Sequence, residues 1–126
     1  MLSTGEVCAA IAVKDMDAAT KFYGEVLGLE AKAQTPGGTF FKSGNSGVFV
    51  YPSGFAGSNK ATYAAWSVDD VEAEVEALKA KGVTFEQYDD LPETTREGDI
   101  HIMGDLKAVW FKDPDGNILS FSNMKS

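Results

Sequence analysis

Residues 61–82, ATYAAWSVDDVEAEVEALKAKG, decide the fold. ATYAAWSV is an apolar stretch of strand character. Asp69-Asp70 then lead a helix with Val71, Val75 and Leu78 on one side and Glu72, Glu74, Glu76 and Lys79 on the other, and Gly82 supplies the stop. The same succession stands earlier in the chain. Residues 6–13 (EVCAAIAV) alternate, with Val7, Ala9, Ile11 and Val13 on one face and Cys8, Ala10 and Ala12 on the other. Asp15 opens an amphipathic helix of about three turns through Ala19, Phe22, Tyr23 and Val26, and Gly28 closes it. The Asp that opens each helix recurs after 55 residues and the closing Gly after 54, the mark of an internal repeat.

Strand-like segments follow each helix. Residues 29–35, 38–43 and 46–52 are punctuated by Pro36-Gly37-Gly38 and Gly44-Asn45, which supply the backbone angles of tight turns. Residues 83–88, 106–112 and 117–122 form the second set, the last two joined by the turn Asp113-Pro114-Asp115-Gly116. The expected fold class is α+β: one domain of two βαβββ modules, residues 6–52 and 61–122, with the Gly- and Ser-rich segment 53–60 as connector. One side of each sheet is covered by its own helix, so the two mixed sheets are expected to curve together into a cup. Residues 89–105 (DDLPETTREGDIHIMGD) are the longest stretch without clear periodicity and read as a lid or binding loop.

Composition narrows the function classes. Nineteen acids against 11 bases give a formal charge of −8 over 126 residues. With no basic cluster, nucleic acid and anionic membrane surfaces are excluded as partners. No apolar run approaches the roughly 20 residues of a membrane span, and Met1–Glu6 has no signal-peptide pattern, so a cytoplasmic protein is expected. Cys8 is the only cysteine and has no partner for an internal disulfide.

Three segments, AVKDMDAATKFYGEVLGL (12–29), SVDDVEAEVEALKAKGVTF (67–85) and WFKDPDGNILSF (110–121), together span nearly the whole chain. In this order and spacing the chain resembles the vicinal oxygen chelate superfamily of glyoxalases, bleomycin-resistance proteins and extradiol dioxygenases. The resemblance implies a cup lined by paired βαβββ modules, often in a homodimer, and in the enzymes a divalent metal that chelates two substrate oxygens. In metal-dependent members a His stands seven residues before the Asp that opens the helix; the matching positions here are Cys8 and Tyr63. The acid expected three residues after the Asn of the DPDGN turn is replaced by Ser120, and residues 46–51 (SGVFVY) hold no acid, His or Cys. A thiol, a phenol and a hydroxyl are a poor ligand set for a hard divalent ion. The expectation is therefore no metal and no cofactor, unless an atypical set such as His101, Glu86 and Asp89 assembles.

The remaining candidates are weighed on chemistry. Cys8 has no cationic neighbour along its strand and reads as a small buried packing residue, although it falls at a ligand-facing position. The resemblance puts Tyr63 and Ser120 on the cup side, where a phenol and a hydroxyl bond either a ligand or one another or a water. Trp110 is a possible stacking surface, whereas strand parity puts Trp66 in the core beneath the second helix. His101, the only imidazole, stands in the long acidic loop beside Met103, either solvated or part of a lid. The ligand-binding set is thus Cys8, Tyr63, His101, Met103, Trp110 and Ser120, with no catalytic residue assigned. The expected function is metal-independent binding of a small, partly aromatic molecule by a homodimer; the alternative is a glyoxalase-like lyase, isomerase or dioxygenase with an atypical metal site.

Overall fold

The computed structural model describes residues 1–125. The first sheet contains β1 (Ala9–Val13), β2 (Glu30–Thr35), β3 (Gly38–Ser43) and β4 (Ser46–Pro52), in the order β1-β4-β3-β2. The second contains β5 (Thr62–Ser67), β6 (Thr95–Glu97), β7 (Ile100–Met103), β8 (Leu106–Lys112) and β9 (Ile118–Ser122), in the order β5-β9-β8-β7-β6. In each sheet the first strand runs parallel to the last and the other pairings are antiparallel. This is the α+β architecture of two mixed sheets expected from the repeat.

Helix boundaries follow their caps. Asp15 accepts from the N–H groups of Asp17 and Ala18 and starts α1 (Met16–Lys21), which continues as a wider π turn over Phe22–Val26. Asp70 accepts from Ala73 N–H and starts α2 (Val71–Ala80), whose Val71, Val75 and Leu78 are buried as their spacing predicts. Beyond the helices, Gly28 and Gly82 have φ of 73° and 91°, a conformation that is inexpensive only for glycine.

The core joins both modules: Ile11, Val13, Phe41, Val48 and Val50 of the first sheet meet Tyr23, while Val109, Phe111, Leu119 and Phe121 of the second meet α2. A buried polar clasp crosses between the modules. Tyr23, fully buried, donates its hydroxyl to Asp113 Oδ2 at 2.8 Å. Asn117 donates its side-chain N–H to the same Oδ2 and to Ala12 O, and its Oδ1 accepts from Gly57 N–H. The DPDGN turn thereby ties helix, first strand and connector together. Burial, followed by the adjacent Asp113 carboxylate, pushes the Tyr23 phenol well above its ordinary range.

The second module departs from the expected strand order. Residues 83–88 form no strand; their backbone meets β8 at one bridge, Phe85 to Phe111, and through Glu86 N–H, which donates to Trp110 O at 2.8 Å. The adjoining stretch read as a lid carries β6 and β7 instead. Two-residue turns at Gly98-Asp99 and Gly104-Asp105, with glycine φ of 62° and 61°, fold these strands locally onto β8, so that β7 takes residues 106–108 and leaves 83–88 only the far end of β8 near Phe111. Val7, placed on the first strand by alternation, precedes it and is exposed.

Candidate functional site

Strand parity divides the second sheet into two faces. Val109, Phe111, Leu119 and Phe121 turn toward α2, so their neighbours turn away from it. On this open face Trp110 lies opposite Ser120, and His101 of β7 lies between Ala108 of β8 and Arg96 of β6. Met103 shares the parity of His101 and pairs with Leu106 at the hairpin end. Four of the sequence candidates, His101, Met103, Trp110 and Ser120, therefore share one face.

His101, expected in a loop, is a fully buried strand residue. Its ring stands perpendicular to that of Trp110, with centroids 4.9 Å apart, and the Tyr88 ring closes the group at 5.7 Å from His101 and 5.6 Å from Trp110. The indole N–H of Trp110 donates to Thr62 Oγ1 at 3.3 Å. His101 Nε2 accepts from Tyr88 N–H at 2.9 Å, whereas Nδ1 is buried with no partner among the described residues. Burial, then the nearby Glu86 carboxylate, raises the Tyr88 phenol, keeping it protonated at neutral pH. Tyr88 joins this aromatic group from a segment whose sequence reads as a strand and carries no separate signal for it.

The open face of the first sheet is also aromatic. Phe40 and Phe49 are register partners on β3 and β4, and Phe49 stacks on Tyr51 with centroids 6.1 Å apart and planes 14° from parallel. Two glycines make room for them. A Cβ on Gly47 would stand 2.8 Å from the Phe40 ring and 2.1 Å from Phe41 O, and one on Gly38 would stand 2.7 Å from the Phe49 ring. These half-buried rings lie against bare strand backbone. Their signal is the alternation of Phe40, Phe49 and Tyr51 with the buried Phe41, Val48 and Val50, read together with glycine on the neighbouring strand.

Cys8 and Tyr63 occupy a different place. They line a cleft of about 400 Å³ between the edges of the two sheets, with Ser43, Ser46, Gly47 and Trp66. Trp66 packs against the core as parity predicts and donates its indole N–H to Ser43 Oγ at 3.0 Å. Cys8 is exposed because β1 begins one residue after it, which corrects its reading as a buried packing residue. The larger hollow, about 710 Å³, lies beside the end of α2; its Asp99 is already paired with Lys79 at 2.6 Å and Gln87 at 2.9 Å.

The positions that correspond to metal ligands do not suit a divalent ion. Cys8 and Tyr63 offer a thiol and a phenol in the cleft, while Ser120 offers a hydroxyl on the open face beside Trp110. The atypical set fares no better: Asp89 is held by Arg96 at 2.8 Å, Glu86 by Lys112 at 3.4 Å, and His101 Nε2 by Tyr88 N–H. Among the described residues no group of three or more His, Cys, Asp or Glu side chains is placed to hold a metal.

A family model described as the Glyoxalase/Bleomycin resistance protein/Dioxygenase superfamily matches residues 7–121. The chain belongs to this superfamily. Its fold is shared with a glyoxalase family protein from Enterococcus faecalis, at 20% identity and a TM-score of 0.73 over 97% of this chain and 99% of that one. The fosfomycin resistance protein FosX from Listeria monocytogenes matches at 16% identity and a TM-score of 0.70, over 94% and 92%. TnmS3, an antibiotic binding protein from a Streptomyces species, matches at 21% identity and 0.63, over 94% and 95%. At these identities the likeness is one of fold. Within the superfamily fold, this chain puts aromatic rings on both open sheet faces and lacks the expected metal donors.

Proposed function

We propose that this superfamily member is a metal-independent binding protein that holds a small, partly aromatic molecule against the open faces of its sheets. The observation that carries the reading is the aromatic lining: Tyr88, His101 and Trp110 on one sheet and Phe40, Phe49 and Tyr51 on the other. Flat rings suit a planar apolar ligand, and the polar groups at the margin, Ser120 and Thr62, suit its orientation. The fold likeness to an antibiotic binding protein and a fosfomycin resistance protein is in keeping with such a role. No helix among the described residues is long and apolar enough to cross a membrane, and a cytoplasmic small molecule is the natural partner.

The reading includes a homodimer, as the resemblance to the superfamily implies, in which a second copy set beside the open faces would complete the cup.

Thermal-shift measurements against planar aromatic compounds, with and without Ni, Zn, Mn or Fe, test the proposal together with elemental analysis of protein prepared without a histidine tag. The expected result is a ligand-induced rise in melting temperature that needs no metal, because a ligand bound only by the native state stabilises it. Near-stoichiometric metal in the purified protein, or shifts seen only when metal is present, would overturn it in favour of the metal-dependent lyase, isomerase or dioxygenase.

A further inference from the structure

We infer that His101 is a hydrogen-bond donor of fixed tautomer reserved for the ligand, and that the molecule bound on the second sheet's open face is a neutral planar aromatic bearing a carbonyl oxygen. The inference rests on the binding function proposed above and specifies the ligand class. It begins with a main-chain amide. Tyr88 N–H can only donate, so His101 Nε2, 2.9 Å away, must present its lone pair, and the neutral imidazole carries its proton on Nδ1. That Nδ1–H is buried without a partner, a condition native proteins seldom leave unanswered.

No acceptor among the described residues bonds it: the Asp89 carboxylate, close enough to interact with the His101 ring, is taken up by Arg96 at 2.8 Å. Ala108, its register neighbour on β8, has no polar side-chain atom. Arg96, its neighbour on β6, and the Trp110 indole are donors, already committed to Asp89 and Gly98 O and to Thr62 respectively. The missing partner is an acceptor. A hydrocarbon or an ammonium group has no lone pair to offer, and a carboxylate finds no uncommitted cation here in a chain of net charge −8. A carbonyl on a flat ring meets both requirements, since its ring packs with Trp110 while its oxygen meets Nδ1–H. His101 and Trp110 sit on paired strands, whereas Tyr88 is carried on an irregular segment. The ligand is therefore admitted by displacement of the Tyr88 ring, with the Tyr88 amide still holding Nε2.

The chain has a single histidine, so histidine-selective ¹⁵N labelling reports one imidazole. The expected result is a proton on Nδ1 and a bare Nε2 in the free protein, and a shift of the Nδ1 resonance with 9-fluorenone but not with fluorene. These probes share a planar ring system, differ in one carbonyl and do not alkylate the exposed thiol. Fluorenone should bind about tenfold more tightly than fluorene, and His101→Phe should bring the ratio to about one while both still bind. A proton on Nε2, or a ratio kept in the variant, overturns the donor assignment; the NMR measurement needs no variant to fold. Equal binding of the two probes to the unaltered protein overturns the ligand class alone. Binding of neither overturns it together with the binding function on which it rests.

Discussion

Tyr23→Phe isolates one hydrogen bond of the clasp between the modules. The phenylalanine retains the ring contacts with Phe22 and Phe41, at centroid distances of 5.2 and 6.0 Å, and loses only the hydroxyl that reaches Asp113 Oδ2 at 2.8 Å. A hydrogen bond to a charged acceptor contributes about 1.5–3 kcal/mol. Asp113 Oδ2 keeps the amide of Asn117, so the carboxylate is not stranded and a loss of about 2 kcal/mol is expected. With a urea slope of roughly 2 kcal/mol/M, the unfolding midpoint followed by tryptophan fluorescence should fall by about 1 M. The pH dependence gives a second readout. The folded phenol is raised by burial and by Asp113, so its contribution is fully present below the unfolded pKa, near 10, and declines as pH rises beyond it and the unfolded chain ionises. The variant should therefore lose stability with pH in that window less steeply, by about 1.4 kcal/mol per pH unit. A midpoint within 0.2 M of the unaltered protein (roughly 0.4 kcal/mol at that slope), or an identical alkaline slope, would refute the reasoning.

Three further perturbations probe other parts of the molecule. Gly47→Ala should destabilise the fold by about 1–3 kcal/mol and disturb the Phe40 ring, because the new Cβ collides with Phe41 O; chemical denaturation and the aromatic NMR signals of the variant would show it. Asp99 is held below the ordinary carboxylate range first by Lys79 and then by Gln87. Its contribution is present above about pH 4 and is lost as pH falls through the folded value, so stability curves of Asp99→Asn and the unaltered protein should differ at pH 7 and converge in acid. Trp110→Ala should abolish ligand-induced thermal shifts and leave the oligomeric state, measured by sedimentation, unchanged; a preserved shift would remove Trp110 from the site.

The features legible in the sequence are those fixed by local chemistry. Asp15 and Asp70 cap their helices through their own side chains, and the Asp113–Gly116 turn sets the register of β8 against β9, so both could be read from a few adjacent residues. The strand error at 83–88 was a competition for one sheet edge. Val83 and Phe85 have the right alternation, but the short turn at Gly104-Asp105 brings β7 to β8 with far less chain to close. His101 was misplaced for the same reason, since β7 looked like loop while its neighbours were counted as a lid. Trp110 and Ser120 lie on the strands expected for them, since β8 and β9 are fixed by the turn between them. The aromatic floor of the first sheet escaped notice because its evident signal, phenylalanine and tyrosine in strands, is also that of ordinary core; only the glycines opposite the rings distinguish it.

The clasp also bears on the order of events during synthesis. Asn117 meets the carbonyl of Ala12 across 105 positions, and Tyr23 meets Asp113 across 90. While a ribosome is still translating, the amino-terminal half has neither of these partners until residues 113–117 have emerged. A premature stop before codon 113 would yield a chain whose leading helix and strand never receive the groups that lock them.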